Sequence, residues 1–198
     1  MFYISSSFKK YHSKNILKRI LLRLFLKNIV KIVDNQKDIN NILDAACGEG
    51  LVIAEINEYR SNLKIDGFDI AEQSIDYARK ILPNNKFFIG DILNIDIADN
   101  SYDLVMALEV LEHLNEPIKA IKELARVSKK YVLISVPFEP WFSIGNILSG
   151  KNLKRFGQDE DHKQFWTKKK IRNLVSKEID IQFVKISFPW TIILAIKK

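Results

Sequence analysis

The stretch ILDAACGEG, residues 42–50, starts apolar, places an acid at Asp44, and then runs through small residues into a segment with helical spacing. Small residues at such a turn let a ligand approach the backbone closely, and the first amides of the following helix are left free to donate. The unit constrains the whole chain because its strand-and-helix alternation continues. β-rich runs at residues 41–46, 64–70, 86–90, 102–108 and 131–136 are separated by helical patterns at 51–59, 72–81 and 116–128, the last with Pro117 in its first turn. Alternation of this kind predicts an α/β fold, a parallel sheet with helices on both faces. The end of the chain changes character: Thr167 can N-cap a helix to about residue 177, and the runs 179–188 and 190–197 are joined tightly at Pro189, which predicts an antiparallel final pair.

With 198 residues, 47% of them hydrophobic, the chain reads as one domain, residues 1–198. Cys47 is the single cysteine, which excludes a disulfide framework and any zinc site of several thiolates and fits a reducing compartment. There is no run of 18 uncharged apolar residues and no signal-peptide pattern at the N-terminus, so the expected location is cytoplasmic.

Charge is segregated: +8 over residues 1–33, −8 over 34–150 and +7 over 151–198. Only the ends invite anions. In the first, Lys14, Lys18, Arg23, Lys27 and Lys31 recur every four or five residues among bulky apolar ones, which predicts an amphipathic helix within a basic extension, residues 1–36. Residues 13–33 can pack on the domain with the basic stripe solvated, or rest peripherally on an anionic membrane or a phosphate-bearing substrate. Residues 137–166 form a long connection with Trp141, Phe142, Phe156, Phe165 and Trp166, and are expected to be an acceptor-side insertion. Lys151, Lys154, Arg155 and residues 168–170 supply its cations.

The turn after Asp44 fails the dinucleotide fingerprint G-x-G-x-x-G, with Ala46 for the first Gly in one register and Ile53 for the last in the other. It resembles instead the first motif, D-x-G-x-G-x-G, of the class I S-adenosylmethionine-dependent methyltransferases, in particular the small-molecule, ubiquinone-type and type 11-like members. Asp44, Gly48 and Gly50 match, and Ala46 stands for the first Gly. Three further segments match in order: GFDIAEQSIDYAR at 67–79, FFIGDILNI at 87–95 and YDLVMALEVLEHL at 102–114. The resemblance implies a Rossmann-like seven-stranded sheet, order 3-2-1-4-5-7-6 with the last strand antiparallel, and S-adenosyl-L-methionine as cofactor. It also implies cofactor-binding roles for Asp69 with Ile70 (ribose hydroxyls), Asp91 with Ile92 (adenine), and Ala107 with Leu108 (methionine moiety).

Glu109, Glu112 and His113 spell E-x-x-E-H, and on a helix all three share a face. Some members of the family bind a metal through this spelling with a later His. The expectation is therefore a divalent ion such as Mg held by Glu109, Glu112, His113 and His162, or, without metal, His113 or His162 as general base. The function expected is methyl transfer, by O-methylation, to a small or lipid- or glycan-linked acceptor. Amino-directed nucleic-acid methylation is disfavoured because ALEVLEH stands where an Asn/Asp-Pro-Pro-aromatic motif belongs. Two alternatives remain open, a metal-dependent RNA 2′-O-methyltransferase and a non-catalytic interaction module with the cofactor fold.

Overall fold

The computed structural model describes residues 15–143 and 162–198. The elements run α1 (Ile16–Asn35), β1 (Asn41–Ala45), α2 (Leu51–Tyr59), β2 (Lys64–Asp69), α3 (Glu72–Ile81), β3 (Lys86–Ile89) and β4 (Tyr102–Leu108). A 3-10 turn (Leu111–His113), α4 (Pro117–Val127), β5 (Ser128–Pro137), α5 (Lys168–Val175), β6 (Asp180–Ser187) and β7 (Trp190–Ile196) follow. All seven strands form one sheet in the order 3-2-1-4-5-7-6. β1 to β5 pair in parallel, while β7 is antiparallel to both β5 and β6. The expected architecture is what is found.

The central strands are apolar along their length because both faces are covered, so alternation gives way to runs such as LVMAL in β4. Two cores result. One, under α1, α2 and α3, gathers Ile42, Ile53, Ile65, Ile75, Leu104 and Leu133. The other, under α4 and α5, gathers Leu43, Val105, Leu124, Val132, Ile171 and Ile193. Local chemistry sets the helix starts. Asn15 Oδ1 accepts from Lys18 N and Thr167 Oγ1 from Lys170 N, both at 3.2 Å, and Pro117 occupies the first turn of α4, where no amide is needed.

α1 packs on the sheet through its second half, burying Phe25, Leu26, Ile29, Val30, Ile32 and Val33. That burial is worth on the order of 10 kcal/mol before chain entropy is counted. It is also tied laterally to the last hairpin. Asn28 donates to Ser187 Oγ at 2.9 Å and accepts from Lys185 Nζ at 2.6 Å, and the Phe25 and Trp190 rings lie 4.8 Å apart. Among the described residues no helix is long and apolar enough to cross a membrane.

One expectation fails here. Residues 109–113 are not a helix: Glu109 has φ +57°, and only Leu111–His113 form a single 3-10 turn. The shared face expected for E-x-x-E-H therefore does not exist.

Of the stretch 137–166, residues 144–161 lie outside the described ones, and with them Lys151, Lys154, Arg155 and Phe156. Trp166, within the expected acceptor-side insertion, is buried in the second core, whereas Trp141 is half exposed.

Candidate functional site

In a sheet ordered 3-2-1-4-5 the connections after β1 and β4 leave on opposite sides and open a crevice at the carboxyl edge. A cavity of about 580 Å³ lies there. One side of it is a row of strand ends: Asp44 closes β1, Asp69 closes β2, Gly90 and Asp91 follow β3, and Leu108 and Glu109 leave β4.

The turn after β1 is made by three left-handed residues, Ala46 (φ +62°), Gly48 (φ +54°) and Gly50 (φ +76°). Only Ala46 bears a Cβ there, at a cost of about 1 kcal/mol. β2 must be small at its centre for this turn to fit, because a Cβ on Gly67 would meet Cys47 Sγ at 2.8 Å and Ile53 Cδ1 at 2.9 Å. Cys47 N in turn donates to Phe68 O at 2.9 Å. The turn and β2 are thus fitted to each other.

The carboxylates differ in their partners. Asp69 Oδ2 accepts from Gly48 N at 2.8 Å and Oδ1 from Ala71 N at 2.9 Å, which fixes the group while leaving lone pairs for further donors. Asp91 Oδ1 accepts from Leu93 N at 2.9 Å, and Ile92 turns inward beside it as Ile70, at the rim, stays exposed. Asp44 is 2% exposed; burial, and then the charge of Asp69, push its carboxyl up to about 8. The buried Glu49 leaves Oε2 without a hydrogen-bond partner. A pocket crowded with carboxylates and short of cations favours a ligand that carries positive charge.

The opposite side is built from distant parts of the chain: Leu22 and Phe25 of α1, Trp190 of β7, Val110, His113 and Leu114 after β4, and Lys163. His113 and His162 lie edge to face with ring centroids 5.0 Å apart, and Phe142 stacks on His162 at 5.7 Å. Glu112 is buried beneath them, its carbonyl accepting from Lys163 N at 2.8 Å and Gln164 N at 3.0 Å. One ligand atom from each of Glu112, His113 and His162 lies within 4.8 Å of the others, which suits a divalent cation in donor type.

Glu109 is not part of that group; it turns toward β5, where Oε1 accepts from Ser135 Oγ at 2.9 Å. Ala107 is also displaced from its expected place, being fully buried in the second core while Leu108 lines the cavity. Gly50 is the N-cap of α2. Leu22, Phe25, Trp190 and Lys163 were not foreseen.

A sheet of this order, with a small-residue turn after β1 and acids at the ends of β1 and β2, is the arrangement implied by the resemblance to the class I S-adenosylmethionine-dependent methyltransferases. Residues 43–135, just under half of the chain, match the family described as Methyltransferase domain. A ubiquinone biosynthesis O-methyltransferase of Neisseria meningitidis is 28% identical over 135 residues, 63% of this chain and 51% of that protein. An ajmaline N-methyltransferase of Rauvolfia serpentina is 27% identical over 101 residues, 48% of this chain and 34% of that protein. The chain thus spans about a third to a half of the length of these curated relatives. In fold it is similar to a magnesium protoporphyrin IX methyltransferase of Synechocystis solved with S-adenosylhomocysteine, with a TM-score of 0.70 at 17% identity over 96% of this chain and 92% of that one.

Proposed function

We propose that the chain is an S-adenosylmethionine-dependent O-methyltransferase of a small or lipid- or glycan-linked acceptor, working in the cytoplasm. The observation that carries this reading is a cavity lined both by carboxylates at the strand ends and by His113, whose ring meets that of His162. The carboxylates suit a cationic cofactor, and their positions fit its parts: Asp69 for paired hydroxyls, Asp91 and Ile92 for a base, and Asp44 and Glu49 for the positively charged end. S-adenosylmethionine, when bound, supplies a sulfonium methyl for in-line transfer. The protein's share is to align acceptor and methyl, exclude water with Leu22, Phe25 and Trp190, and take the acceptor's proton on His113 or His162.

The same carboxylate row argues against a polyanionic acceptor such as RNA. A divalent ion at Glu112, His113 and His162 is a second reading, favoured by their convergence and separable by chelation.

Calorimetric titration with S-adenosylhomocysteine, run beside Asp69→Ala, tests the cofactor assignment. Saturable binding that the variant loses supports it, and a folded wild type that does not bind refutes it. Acceptor screening then uses His113→Ala with and without chelator. Retained activity in that variant points to an acceptor that needs no base there, such as a carboxylate.

A further inference from the structure

The first turns of α1 are poorly covered by the rest of the described molecule. Ile16 is 71% exposed and Leu17 63%, with Ile20 and Leu24 about half exposed on the same side. Full burial begins only at Phe25. Isolated apolar residues at a surface are ordinary, but four on one helical face form a patch that water does not favour.

The patch carries its own charge pattern. Arg19, Arg23, Lys27 and Lys31 flank or continue it, and among the described residues none of the four lies within 4.0 Å of an acid. In sequence no Asp or Glu occurs before Asp34. Its position matters as well. α1 enters β1 from the far edge of the sheet, so its first turns reach past the edge where the cavity opens. Leu22 lines the cavity, and Ile16 lies six residues further out, about 9 Å along the axis. Near that edge the half-exposed Phe188 sits in the two-residue turn between Ser187 and Trp190, and Phe138 N donates to Pro189 O at 2.8 Å just ahead of the half-exposed Trp141.

We propose that this face docks on an anionic lipid bilayer, with Ile16, Leu17, Ile20 and Leu24 entering the headgroup boundary and Arg19, Arg23, Lys27 and Lys31 meeting lipid phosphates. The charge selects this occupant over a second copy of the chain, because a two-fold pairing of the face would set the same cations against one another. Apolar insertion combined with basic contacts is the pattern that holds a helix in the plane of such a surface. Docking turns the cavity mouth toward the bilayer, which suits a lipid-linked acceptor. That last step rests on the proposed function, while the docking does not.

The test is co-sedimentation of the full chain with vesicles of phosphatidylcholine alone and with 30 mol% phosphatidylglycerol. The variants are Ile20→Glu with Leu24→Glu, and Arg23→Ser with Lys27→Ser; neither pair lines the cavity. The expected result is binding at least about tenfold tighter to the anionic vesicles. The first pair should abolish it, and the second should weaken it about 25-fold, roughly fivefold per cation. Equal partitioning into both vesicles, or no change in the variants, overturns the proposal. So does absence of vesicle binding together with a concentration-dependent dimer that the first pair dissolves, since the face then belongs to a second copy. S-adenosylhomocysteine titration of the same variants keeps the two proposals apart, because cofactor binding must survive in them whichever way the vesicles answer.

Discussion

The two sides of the cavity are made differently. The carboxylate side comes from consecutive strand ends, residues 44 to 109, and its geometry is largely backbone: three left-handed residues and amides that hold Asp69 and Asp91. The facing side is assembled from Leu22, Phe25, Val110, His113, Leu114, Lys163 and Trp190, which meet only because the sheet is complete. A ligand that every member of a fold family shares can be held by the first kind of construction. The second kind can change with acceptor while the first stays the same.

The largest effect that would sharpen this contrast is Asp69→Ala, expected to weaken S-adenosylhomocysteine binding about a hundredfold or more in calorimetry, since two charge-assisted bonds are lost. An unchanged affinity would break the division of labour. Next, Trp190→Ala is expected to lower turnover of an accepted substrate at least about tenfold while changing cofactor affinity less than about threefold. Equal losses in both would mean that the sides are not separable. Denaturant titration of Gly67→Ala should show a loss of about 1 to 3 kcal/mol, because its new methyl presses on Cys47, and Cys47→Ala should recover part of that loss.

Asp44 gives the pH prediction. Its folded pKa, about 8, lies above the ordinary 3.8, so the folded protein holds a proton that the unfolded chain has released, and stability falls as pH rises from about 4 to about 8. A cationic ligand favours the carboxylate. Affinity should therefore rise toward pH 8, by up to about tenfold per unit, with proton release visible as buffer-dependent heat. Asp44→Asn should flatten both profiles. Smallest is Ala46→Gly, expected to stabilise the chain by about 1 kcal/mol in thermal unfolding by relieving a left-handed alanine.

The same division explains what was legible in sequence. Asp44, Gly48, Asp69 and Asp91 lie in contiguous motifs whose local chemistry fixes their geometry, and strand order followed from the family that those motifs resemble. The hairpin at Pro189 and the cap at Thr167 were equally local. Glu109 was misplaced because helical spacing was assumed across residues 109–113, where the chain instead turns sharply and gives the carboxylate to Ser135. Ala107 and Leu108 alternate across β4, so only one of them can face the cavity. Phe25 and Trp190 carry no signal of their meeting, which depends on β7 inserting between β5 and β6.

The bond from Asn28 to Ser187 closes a sequence separation of 159 residues, and Phe25 meets Trp190 beside it. During synthesis the helix leaves the ribosome well before the last hairpin and waits for it before its wall is finished. At about 5 to 20 residues per second that interval is on the order of ten seconds. Throughout it the apolar face of α1 has no hairpin beside it, so a stalled or truncated chain would carry a formed carboxylate row and an uncovered helix, a species marked for chaperones rather than for catalysis.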